Sequence, residues 1–183
     1  MTGIISNNAG RDSGLIKASA GASNKPFFMA YRGTNDCSGD ACSYNFSDYT
    51  YVKTPFNNEA IDSDGCYDVS NYRFTPNVAG KYFVFASLRT TGGTTDRWKS
   101  GYIEIRKNNT REVGHYYDAD GQSSGYTCDY SNNAYMSTIV DMNGTSDYLE
   151  VYMKVDEASS TPWLSGGSGN LFPTYFGAYK LAW

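Results

Sequence analysis

A single histidine, His115, stands among 183 residues, so no site that needs two or more histidine ligands can be assembled within one chain. No run of about 18 apolar residues occurs that could cross a bilayer as a helix. The first residues, Met1 to Asn8, carry neither the basic stretch nor the apolar stretch of a secretory signal. Membrane spanning and signal-led export are therefore not expected. Basic excess is missing too: 15 Lys and Arg face 19 Asp and Glu, a formal net charge of -4. Such a chain has no field to draw in a phosphate backbone, which removes nucleic acid from the expected partners. There is no phosphate-binding loop and no dinucleotide fingerprint. The expectation is a protein that is not an enzyme, with no catalytic, cofactor-binding or metal residues assigned. Stretches of helix formers at a 3.6-residue period are also lacking.

What the chain has in abundance is 17 Tyr, 9 Phe and 19 Gly, set among Ser, Thr, Asn and Asp. Aromatics favour pleated strands and the small polar residues favour the turns between them. The length suits one domain. Residues 1–25 are small and polar except for the pairs Ile4-Ile5 and Leu15-Ile16, and read as an extended arm that could anchor on a neighbouring surface. Residues 26–183 read as a single all-β head of about ten short strands, a count that suits a two-sheet jelly-roll sandwich.

Pro26 to Arg32 is the first expected strand, followed by a polar loop from Gly33 to Ser47 and a second strand from Tyr49 to Lys53. Asn57-Asn58 and Asp62 to Gly65 mark turns, and Tyr72 to Phe74 resumes extended structure. From Gly80 to Arg89, Tyr82, Val84, Ala86 and Leu88 share one face while Phe83 and Phe85 share the other, which predicts a strand covered on both sides. Gly101 to Lys107 points Ile103 and Ile105 inward, with Tyr102, Glu104 and Arg106 outward, and Asn108-Asn109 turns it into a partner strand around Val113. Asp118 to Ser131 reads as a second long loop. Tyr135 to Met142 and Tyr148 to Val155, either side of Asn143-Gly144-Thr145-Ser146, read as a hairpin. Tyr175 to Trp183 is the closing strand.

The spacing Phe56, Asp62, Tyr67, Phe74, Gly80, Tyr82 resembles the signature of the C1q globular-head family, the jelly rolls related to tumour necrosis factor. The ending Tyr175-Phe176-Gly177-Ala178-Tyr179-Lys180-Leu181 is similar to that family's last strand. The wording of Tyr72 to Val84 and of Asp141 to Gly144 looks more like the C1q-like modules of bacteriophage virion proteins than like secreted animal ones. The resemblance implies a homotrimer, with trimer and core packing falling to Phe28, Tyr82, Phe83, Phe85, Tyr175, Phe176 and Tyr179. It also implies calcium near the axis in some members, for which no site is assigned here.

Asp62/Asp64 and Asp118/Asp120, each followed by Gly, suit turns better than a calcium loop. Cys37, Cys42, Cys66 and Cys128 are not spaced as a zinc ribbon. Bridges Cys37 to Cys42 and Cys66 to Cys128, or free thiols, are both open. Tyr116, Tyr117, Tyr126 and Tyr130 lie in expected loops whose composition suits adaptable recognition of a host-surface glycan or protein. Together these readings predict a trimeric structural protein on a bacteriophage virion, made in the host cytoplasm and fixed to other virion proteins by its arm. An arm of 25 residues reaches at most roughly 85 Å, which suits a capsid decoration or cement protein; the alternative is a tail-fibre tip that binds the host receptor.

Overall fold

Burial follows the two-residue alternation closely along residues 80–91. Tyr82, Val84, Ala86 and Leu88 are at most 2% exposed, while Phe83 and Phe85 remain half-buried on the opposite face. The computed structural model describes residues 24–33, 43–91, 98–118, 131–157, 161–167 and 174–182. The arm residues Ile4, Ile5, Leu15 and Ile16, the thiols Cys37, Cys42 and Cys128, and Tyr126 and Tyr130 lie outside the described residues. So does Asp120.

The described residues form thirteen strands and no helix. In chain order they are β1 (Phe27–Tyr31), β2 (Ser43–Asn45), β3 (Val52–Lys53), β4 (Asn58–Asp62), β5 (Tyr67–Asp68), β6 (Arg73–Phe74) and β7 (Gly80–Thr91). There follow β8 (Trp98–Lys107), β9 (Thr110–Asp118), β10 (Ser131–Met142), β11 (Leu149–Glu157), β12 (Trp163–Ser165) and β13 (Tyr175–Lys180). Two antiparallel sheets result, and they pack as a β-sandwich. The first runs β4-β1-β13-β7, with β10 on the far edge of β7 and β12-β2 continuing the edge that β13 occupies. The second runs β5-β6-β11-β8-β9, with β3 also on β11.

The core lies between the inner faces. Phe28 of the first sheet stacks on Tyr67 and Phe74 of the second at centroid distances of 4.9 and 4.3 Å, and meets Phe176 edge-on at 4.9 Å. Further along, Ile103, Ile105, Val151, Met153 and Val155 close the layer, each at most 1% exposed. Burial on this scale, at about 25 cal/mol per Å² of apolar surface, is what drives the two sheets together. Tyr117 fastens the layers at the far end. Its ring covers Gly101, and its hydroxyl lies 3.1 Å from the Thr90 hydroxyl of the opposite sheet.

Several expectations are corrected. The expected ten strands become thirteen among the described residues. The stretch read as loop from Gly33 to Ser47 contains β2, which pairs with β12. The strand expected over Tyr49 to Lys53 shortens to β3, because Tyr49 has φ 50° and turns the chain. Asn58 is the first residue of β4 rather than part of a turn.

The hairpin at Asn143 is the largest correction: β10 pairs with β7 and β11 with β8, so this turn carries the chain from one sheet to the other. Its side chains explain the crossing. Asn143 Oδ1 accepts the backbone N–H groups of Thr145, Ser146 and Asp147 at 2.9–3.0 Å. Asp147 accepts from Asn143 N, Asn108 Nδ2 and Lys107 Nζ at 2.9, 2.8 and 3.0 Å, and Tyr148 N donates to Asn108 Oδ1. The turn is thus sewn to the end of the β8–β9 hairpin, which delivers the chain beside β8.

Candidate interaction faces

The residues expected to serve trimer and core packing divide cleanly by face. Phe28, Tyr82 and Phe176 point inward and are at most 2% exposed, so they are core and offer nothing to a partner. Phe83, Phe85, Tyr175 and Tyr179 point outward from the first sheet. Register aligns them with further apolar side chains. Phe27, Tyr179, Phe83 and Ile139 form one cross-strand row, Ile61, Met29, Gly177, Phe85 and Ser137 the next, and Tyr31, Tyr175, Ser87 and Tyr135 a third. Gly177 belongs in this row because a Cβ there would sit 2.4 Å from the Phe85 ring and 2.9 Å from the Phe28 carbonyl oxygen.

This face is an aromatic ridge between two depressions. One, of about 580 Å³, is lined by Phe27, Met29, Ile61, Phe85 and Tyr179. The other, of about 510 Å³, is lined by Phe83, Phe85, Tyr135, Ser137 and Tyr175. Tyr135 is 63% exposed, Ile139 55% and Ile61 49%. Contiguous apolar surface of this kind marks an interaction site. The sequence reading missed Ile61, Tyr135 and Ile139; the alternation of Tyr135, Ser137 and Ile139 was there to be read, but not which neighbours would lie beside it.

The outer face of the second sheet is of opposite character. Across β11, β8 and β9 it sets Lys154 beside Tyr102 and Tyr116, Tyr152 beside Glu104 and Gly114, and Glu150 beside Arg106. Glu150 is covered by Lys53 and Arg73 at 2.7 and 2.9 Å. Glu104 is covered by Arg106 at 2.7 Å, with Arg111 at 3.5 Å. Burial alone would raise the Glu104 carboxyl, but bonds from Arg106 and Tyr51 and the charges of Arg106 and Arg111 outweigh it and hold the carboxyl below its ordinary value. Burial and the bond to Glu104 push the Tyr51 phenol up to about 12.

Tyr116 and Tyr117, expected in a recognition loop, stand on β9 instead. Tyr116 is exposed and lies 4.5 Å from the Tyr102 ring. Tyr117 is turned inward, and burial pushes its phenol up to about 12. His115, also on β9, is exposed and stacks beside Tyr117.

Cys66 is a free, buried thiol that donates to the Asp64 carbonyl at 3.7 Å rather than entering a bridge, and burial pushes its pKa up. Asp62 does the work of a turn, accepting from Asp64 N and Tyr67 N at 3.3 and 2.8 Å. Among the described residues, no three His, Cys, Asp or Glu side chains gather as a metal site. No helix there is long and apolar enough to cross a membrane. No protein-family model matches the sequence, and no curated protein matches it.

Proposed function

We propose that this chain is a non-enzymatic structural protein of a bacteriophage virion surface, a homotrimer whose jelly-roll head decorates the capsid and whose N-terminal arm, residues 1–25, holds it there. The observation that carries the reading is the uncovered apolar face of the first sheet. Tyr135 and Ile139 on β10 and Tyr179 on β13 stand exposed on that face, where a monomer would gain by placing polar residues. A second copy of the same surface buries them.

The strand order supports the jelly-roll part. Leaving aside the short β2, β3 and β12, five strands lie in each sheet, β4-β1-β13-β7-β10 against β5-β6-β11-β8-β9. The first and last strands lie side by side, and the chain changes sheets between β4 and β5, β6 and β7, β7 and β8, β9 and β10, β10 and β11, and β11 and β13. The virion assignment rests on the resemblance of Tyr72 to Val84 and Asp141 to Gly144 to phage modules.

Light scattering on the purified chain tests the trimer. The wild type is expected at three times the chain mass, and Ile139→Glu at one, with circular dichroism unchanged because the side chain faces away from the core. A monomeric wild type, or a variant that stays trimeric, overturns the reading. Quantification in purified particles tests the location. Abundance comparable to the major capsid protein means decoration, whereas a small fraction of it means the tail-fibre tip.

A further inference from the structure

The second sheet carries a cluster that neither the core nor the apolar face uses. Lys154 projects its ammonium among three tyrosine rings, 4.0 Å from the centroid of Tyr49, 4.1 Å from Tyr102 and 4.8 Å from Tyr51. Lys53, Arg73, Arg106 and Arg111 on the same face are each paired with Glu150 or Glu104, whereas Lys154 makes no ion pair with a described residue. Glu104 and Glu150 are 4% and 2% exposed beneath their cations. Around Lys154 the cations therefore outnumber the carboxylates that reach solvent, of which Asp118 sits at the edge beside Tyr116.

The rings are built into place. Tyr49 holds a left-handed backbone, φ 50°, a conformation that strains a non-glycine residue. It is locked there by its own N–H on the Val155 carbonyl at 2.7 Å and by Glu157 N on Asp48 Oδ1 at 2.8 Å. The ring is nevertheless 56% exposed, and Tyr116, next to Tyr102, is 48% exposed with its hydroxyl bonded to Asp118. Exposed aromatic rings around a cation that no described carboxylate pairs form an open platform.

We propose that this platform binds an acidic saccharide, its carboxylate on Lys154 Nζ and its sugar rings laid on Tyr49 and Tyr116. The apolar C–H face of a pyranose matches a tyrosine ring, and its hydroxyls match the phenol groups at the ring edge. One cation unpaired among the described residues and flanked by rings fits a saccharide that sets a carboxylate beside apolar ring faces, whereas a polyphosphate offers charge without such faces and needs a line of cations. The inference rests on the second sheet alone and is independent of the oligomer.

Calorimetric titration of the full chain with a galacturonic acid hexamer tests it, with a neutral glucose hexamer and a short inorganic polyphosphate in parallel. The hexuronate is expected to bind, more weakly as salt rises. Lys154→Gln and Tyr49→Ala are each expected to weaken it by about tenfold or more, with urea midpoints near wild type. Should either variant fail to fold, Tyr116→Ala, at an exposed ring, is expected to lose affinity, and Lys154→Arg to retain it. Absence of hexuronate binding overturns the proposal. So does equal binding of the neutral hexamer or of polyphosphate, or undiminished affinity in a folded variant.

Discussion

Glu104 shows how much a single side chain on an outer face can be asked to do. Its position on β8 points it away from the core, yet Arg106, Arg111 and Tyr51 enclose it until it is 4% exposed. Buried charge is tolerable only when paired and hydrogen-bonded. Because the folded carboxyl titrates below its unfolded value of about 4.3, the folded state binds fewer protons near that pH. The stability it contributes is full above that value and is lost as pH falls through the depressed folded one. Glu104→Gln should therefore lower the urea midpoint at pH 7, by about 2 kcal/mol in unfolding free energy. The gap to wild type should narrow by pH 3; a gap that stays constant from pH 7 to pH 3 contradicts the linkage.

At the scale of elements, the turn from Asn143 to Tyr148 decides the topology. Periodicity announces that two strands flank it, and the sequence of β11, with Leu149, Val151, Met153 and Val155 alternating against Tyr148, Glu150, Tyr152 and Lys154, is read correctly as to faces. Periodicity carries no information on partners. The pairing is set by Asn108, 40 positions before Tyr148, whose side chain receives the turn. By contrast, Asn108 and Asn109, at φ 51° and 66°, make the β8–β9 hairpin that the Asn-Asn pair predicts, because there the turn and both strands are local.

The short β2 and β12 escaped for the same reason: three residues have no period, and only a partner strand holds them extended. On the faces, the inward and outward sets of β7 were legible, but which outward set would be left bare was not. Phe176 alternates with Tyr175 and is aromatic like it, and only the sheet's packing distinguishes core from surface. Gly144 is the residue on which the crossing turns. At φ 72°, with a Cβ that would sit 2.2 Å from Ala79 N, it admits no side chain. Gly144→Ala is expected to destabilise the fold by about 2 kcal/mol or more. Chemical denaturation measures it, and a change below about 0.5 kcal/mol would show that the crossing does not depend on this close approach.

The whole molecule is two-sided in a way that neither sheet shows alone. One outer face is apolar and presents Ile61, Tyr135 and Ile139 to solvent; the other buries two carboxylates under cations and tyrosines. If the apolar face is covered by copies of the same chain, three-fold packing hides the first sheets and turns the second sheets, with the Lys154 platform, toward solvent. Folding and association are then linked, since the trimer binds the native chain and not the unfolded one. The melting temperature of the wild type should accordingly rise with protein concentration, whereas that of Ile139→Glu should not. A hundredfold concentration range suffices: for a chain stabilised only within the trimer, mass action adds about 2.7 kcal/mol for each hundredfold excess over the dissociation constant. A wild-type melting temperature that is flat over that range would mean that each sandwich stands by its own core, and that the exposed aromatic ridge serves a partner other than itself.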